Sequence, residues 1–238
     1  SNRVNTIRYL SAQRSLIAGT TGGEFVVSAS GTTQPITPTN IQIQRQTSYG
    51  TANVDAIQVA NVTMFLQRAK RKIRELTYSF DFDSYVAPDM TILAENITES
   101  GVKELSYQQE PESIIWGTRE DGKLIGLTYQ RAEDVVGWHI HEVGGSFGSD
   151  SFAHVENIAT IPGDADEDDL YMVVKRTVNG STRRYVEYLT NYDYGNSITD
   201  AFFVDSGLAY SGSATTSISG LDHLEGQTVS ILANGSTH

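Results

Sequence analysis

VKELSYQQEPESIIWGTREDGKLIGLTYQRAEDVVGWHIHE, Val102 to Glu142, contains four apolar segments: VKELSYQQ, SIIWGT, KLIGLTY and VVGWHIH. Glu110-Pro111, Glu120-Asp121-Gly122 and Arg131-Ala132-Glu133-Asp134 separate them, and Asp-Gly between apolar runs is a strong hairpin signal. Alternation places Ile125, Leu127 and Tyr129 on one face of the third segment and Val136, Trp138 and Ile140 on one face of the fourth. Ile114-Ile115-Trp116 is apolar on both faces. The stretch therefore predicts a four-stranded antiparallel sheet covered on both sides, as in a β-propeller blade; an ordinary sandwich sheet is the alternative, and repetition separates the two.

Outward from this unit the pattern recurs. Leu16 to Thr20 and Glu24 to Ser28 flank Gly22-Gly23, with a third strand at Asn40 to Gln46. Val54 to Ala60, Val62 to Gln67 and Ile73 to Phe80 surround a basic turn. Val155 to Ile161, Leu170 to Thr177 and Thr182 to Leu189 follow, with Asn179-Gly180 as the central turn. Central turns begin near positions 22, 70, 121 and 179, at intervals of 48, 51 and 58. These approach the ~40–50 residues of known propeller repeats. Leu66, Ala69, Ile73 and Leu76 fall at helical spacing, but strand-like flanks favour a hairpin there.

The expected organisation is all-β: about four propeller-like repeats over residues 1–192, then a linker and a small truncated β module over 193–238. Short strands are expected at Ala201 to Asp205 and Thr228 to Ala233, and Asn234-Gly235 opens a hairpin whose second strand is expected to be missing. The first residues resemble neither a leader nor a strand-forming cap. Because the chain opens on Ser1-Asn2 rather than Met, it is expected to be a portion of a longer protein.

The 238 residues suffice for a substantial core, and 12 Tyr and 21 Gly suit strands and tight turns. With no cysteine, disulfides and thiolate metal sites are excluded. No stretch of eighteen apolar residues is present, so no helical membrane span is expected. A net charge of −12 opposes general nucleic-acid binding, since Lys and Arg carry phosphate affinity.

The succession QRQTSYGTANV (Gln44–Val54), MFLQRAKRKIRELTYSF (Met64–Phe80), YVAPDMTILAENI (Tyr85–Ile97), ELSYQQEPESIIWGTREDGKLIGLTY (Glu104–Tyr129), GWHIHE (Gly137–Glu142) and LYMVVKRTVNGSTRRYVEYL (Leu170–Leu189) resembles the tail tubular or nozzle proteins of short-tailed bacteriophages and related prophages. DSGLAYSG (Asp205–Gly212) and GLDHLEGQTVSILANG (Gly220–Gly235) continue the likeness. The resemblance implies a virion structural protein of the tail, made in the bacterial host cytoplasm. It further implies a hexameric ring of identical subunits beside other tail proteins, a propeller-like body, a channel for DNA, and no catalytic residues or cofactor.

Arg68, Lys70, Arg71, Lys72 and Arg74 form the one local feature above background, a candidate contact for a partner or DNA, with a solvated hairpin tip as the alternative. His139 and His141 share a strand face and could share a metal, but no third ligand is fixed, and a polar face beside a core tryptophan is the preferred reading. Asp164 to Asp169 begins with calcium-loop spacing, then places Asp169 where the turn glycine belongs and Lys175 where the bidentate glutamate belongs. No metal is expected. Nothing singles out a catalytic pair among the 29 acids, and neither a phosphate-binding loop nor a Gly-x-Ser-x-Gly elbow occurs, so an enzyme is not expected. The rival function is a carbohydrate-recognising β module using Trp116, Trp138 and the tyrosines.

Overall fold

A computed structural model describes residues 5–13, 15–31, 34–163, 166–190, 196–197, 201, 203–233 and 236–237. The apolar runs become four consecutive antiparallel meanders. The first sheet contains β1 (Ile7–Ala12), β2 (Leu16–Thr20), β3 (Gly23–Ala29) and β4 (Ile41–Thr47); the second contains β5 (Ile57–Val59), β6 (Val62–Leu66), β7 (Ile73–Ser79) and β8 (Ser84–Val86). The third is the Val102–Glu142 unit: β9 (Val102–Gln108), β10 (Ile114–Arg119), β11 (Leu124–Gln130) and β12 (Val135–His141). The fourth has three strands among the described residues, β13 (His154–Pro162), β14 (Asp168–Val178) and β15 (Ser181–Leu189).

Each sheet packs face to face on the next. Tyr9, Ile17 and Val26 of the first meet Phe65, Leu76 and Tyr85 of the second. On the other face of the second, Val62, Met64, Leu66 and Ile73 meet Leu105, Ile115, Ile125 and Leu127 of the third. Trp116 and Leu124 then meet Val155, Ile158, Leu170, Met172 and Val174 of the fourth. This is why VTMFL is buried at every position and why Ile115 and Trp116 are both buried although they point to opposite sides. The sheets thus stack in sequence order, each packed on the next.

Consecutive sheets are also strapped through backbone. Thr51, Val102 and Val155 each enter a new sheet while donating an N–H to the central turn of the preceding one, at Thr20, Lys70 and Gly122, all at 2.8 Å. Gly50 and Gly101, both at positive φ (75° and 89°), accept from Arg68 N and Glu120 N of their own sheet's central turn. Only glycine takes this conformation without cost, and a residue there reaches both turns at once.

The outer faces of the end sheets are uncovered among the described residues. The first presents Leu10, Leu16, Phe25, Val27, Ile41 and Ile43, with Leu10 61% and Ile43 62% exposed; the fourth presents Ile161, Tyr171, Val173, Val186 and Tyr188, with Val186 75% exposed.

Several expectations need correction. Ile7–Ala12 is a strand, because its buried Tyr9 anchors an otherwise exposed edge to the second sheet. Val54 to Ala60 shortens to Ile57–Val59, since the chain bends at Asn53 and Val54 and turns at Ala60, whose φ is 50°. The hairpin expected between Val62 to Gln67 and Ile73 to Phe80 is present, with Leu66 and Ile73 as cross-strand partners, so their helical spacing reflects only turn length. Residues 201 and 203–205 form no strand. Thr228 to Ala233 reduces to β16 (Leu232–Ala233), which pairs with β17 (Ser236–Thr237), so the second strand of that hairpin is present. Asn234 and Gly235 between them lie outside the described residues. Apart from a 3-10 turn at Asp222–Leu224, residues 203–231 are irregular, with few apolar partners to fix them.

Candidate functional site

The basic turn joins β6 to β7, and the fold uses three of its five charges internally. Lys70, in the left-handed region at φ 61°, reaches Glu120 on the next sheet's central turn at 2.7 Å. Lys72 pairs with Asp89 at 2.8 Å and Glu95 at 3.5 Å, and the Asp89 carboxyl lies below the usual range, the bonds from Lys72 and Thr91 outweighing its partial burial. Arg74 is buried, donates to Gln67 Oε1 (2.7 Å) and Ala87 O (2.6 Å), and lies 3.4 Å over the Tyr49 ring. Arg68 and Arg71 stay exposed with no ion pair among the described residues. The cluster is therefore an inter-sheet clamp with two outward cations.

The acidic loop is also spent structurally. Asp164 and Ala165 lie outside the described residues. Asp168 begins β14 and accepts Gln109 N (2.8 Å) and Glu110 N (3.2 Å), clipping the β9–β10 turn to the fourth sheet. Among the described residues no three His, Asp or Glu side chains converge on a metal position.

The third and fourth segments of Val102–Glu142 bring His139 and His141 to the β12 edge, on the face that carries Trp116. Register explains how. Trp116 pairs with Gly126, and Gly126 pairs with His139, so one missing side chain leaves a notch between tryptophan and imidazole. A Cβ on Gly126 would stand 2.0 Å from His139 Cε1. His139 Nδ1 and His141 Nε2 lie 2.6 Å apart, and the two rings sit 5.6 and 5.3 Å from the Trp116 ring. Trp138, the tryptophan adjacent in sequence, faces the second sheet and donates to Met90 O at 2.9 Å.

Burial disfavours the imidazolium of both histidines, and His139 adds repulsion at His141, so both titrate below the ordinary value. Lowered histidine pKa values mean the unfolded chain binds more protons, so the stability they contribute is complete above about pH 6.5 and falls as pH drops below it. Urea midpoints should decline between pH 7 and 5, and less so in a His139→Asn, His141→Asn variant. Loss of the Arg184 and Lys175 bonds to Glu156, whose pKa is lowered to about 2, occurs in the separate window below its ordinary 4.5.

A groove of about 560 Å³ lies between the β5–β6 and β11–β12 turns, lined by Asn61, Tyr107, Ser113, Gln130, Arg131 and Glu133 among others. Tyr107 OH is 3.1 Å from Ser113 Oγ, and Arg131 is held by Glu75 at 2.8 Å. Glu75 also accepts from Tyr129 OH at 2.8 Å, so this polar cluster joins the second and third sheets before it offers anything to a ligand. Among the described residues no helix is long and apolar enough to cross a membrane. No protein-family model matches the chain, and no curated protein matches it.

Proposed function

We propose that the chain is a structural protein of a virion, part of the nozzle or tube ring in the tail of a short-tailed phage. The observation that carries this reading is the stack itself: four consecutive sheets whose two end faces are apolar and, among the described residues, uncovered. Apolar faces of this kind mark association surfaces. The chain makes the same sheet-on-sheet junction three times internally, so the partner that fits is a further sheet of an identical subunit. The sequence likeness adds the hexameric ring, the neighbouring tail proteins and the DNA channel. With a net charge of −12, a channel wall of this chain would repel phosphate and let DNA pass without being held. Arg68 and Arg71 are the cations of the basic turn left to meet an acidic neighbour. Antibodies to the chain should decorate phage tails in several copies per particle; particles that carry none overturn the reading.

A second reading rests on the groove, whose tyrosine, amides and charged groups suit a sugar. A specific glycan-array signal abolished by Tyr107→Ala would favour it over the structural role.

A further inference from the structure

We infer that His139 and His141 form a two-imidazole site for a borderline divalent transition ion, Cu(II) foremost, with Ni(II) and Zn(II) weaker. Their facing nitrogens, His139 Nδ1 and His141 Nε2, stand 2.6 Å apart. Two cis nitrogens each ~2.0–2.1 Å from a metal span roughly 2.9–3.4 Å, so the rings need to part by well under 1 Å. The imidazoles lie edge to face, at 85° to each other with their centroids 4.9 Å apart.

The surroundings support the pair as ligands. A metal-bound histidine usually passes its second N–H to an acceptor that fixes ring orientation. His139 has that acceptor: its Nε2 lies 3.4 Å from Thr128 Oγ1 on the adjacent strand, leaving Nδ1 for the ion. The Gly126 notch fixes the ring from below, and Trp116 walls one side. β12 is the edge strand of its sheet, and among the described residues the facing fourth sheet has no fourth strand, so the pair is only partly buried. No carboxylate joins it among the described residues, and the remaining positions fall to water. An all-imidazole, uncharged donor pair favours copper over zinc and disfavours magnesium and calcium. The inference is independent of the tail assignment.

Titration of the purified chain with Cu(II) alone tests it. Trp116 reports binding directly, since both rings lie within 6 Å of it. Saturable quenching at one ion per chain is expected, with His139→Ala and His141→Ala each weakening binding at least about tenfold, or ~1.4 kcal/mol. His154→Ala and His223→Ala should leave binding unchanged. Gly126→Ala, which removes no ligand, should weaken it by displacing the His139 ring. Calorimetry gives the same stoichiometry without relying on fluorescence, and matching thermal midpoints of the apo variants show that they are folded. Unsaturable quenching, or one-to-one binding that persists in the His139→Ala, His141→Ala double variant, overturns the site.

Discussion

Gly50→Ala should destabilise the protein by about 3 kcal/mol or more, among the largest effects of any single methyl group in this chain. Gly50 has φ 75°, and a Cβ built on it would stand 2.4 Å from the Thr21 carbonyl oxygen, a backbone atom that cannot rotate away. The left-handed conformation alone costs an alanine ~1–2 kcal/mol. Relieving the contact would pull apart the strap in which Thr51 N reaches Thr20 O and Arg68 N reaches Gly50 O. Gly148→Ala is the control. Its φ is 62°, but nothing lies within 4 Å of the added Cβ, so only the dihedral term of ~1–2 kcal/mol should remain. Urea midpoints of the two variants measure the difference.

Phe65→Ala should cost about 3–5 kcal/mol, the range for truncating a fully buried aromatic. Phe65 has no exposed surface, and its ring lies 6.0 Å from that of Tyr9 across the junction of the first and second sheets. Met64 and Leu66, its neighbours on the same strand, are equally buried but face the third sheet. A large cost at Phe65 therefore reports the stacking of two sheets, since an isolated second sheet would leave that ring in water and the substitution nearly neutral. Leu93→Ala, at 97% exposure, should change stability by less than ~0.5 kcal/mol.

The sheets were legible where local patterning and burial agree. Ile114-Ile115-Trp116, apolar on both faces, requires a sheet covered on both sides, and Asp121-Gly122 and Asn179-Gly180 mark central turns that the structure retains. Ile7–Ala12 and Ser84–Val86 were not legible, because edge strands with one or two buried side chains have too little hydrophobic period to register. The fate of the basic turn was equally hidden. Lys70, Lys72 and Arg74 look like a solvated run, but Glu120, Asp89, Glu95 and the Ala87 carbonyl are placed against them by tertiary packing.

The straps could have been anticipated in part. Gly50-Thr51 and Gly101-Val102 recur near the period of the central turns, a signal weaker than any apolar run but tied to the one position where positive φ is required. The histidine pair shows the opposite limit. Alternation placed His139 and His141 on one face, but their approach to Trp116 depends on Gly126 lying between them in register, which only the pairing of three strands reveals.

Sedimentation velocity of the purified chain across a wide concentration range tests the central claim, that the uncovered end faces are surfaces for assembly. The wild-type chain should shift from monomer to larger species as concentration rises, whereas a variant carrying Ile43→Glu and Val186→Glu, one charge on each exposed face, should remain monomeric with unchanged thermal stability. A wild-type chain that sediments as monomer throughout, identically to the variant, would contradict the account.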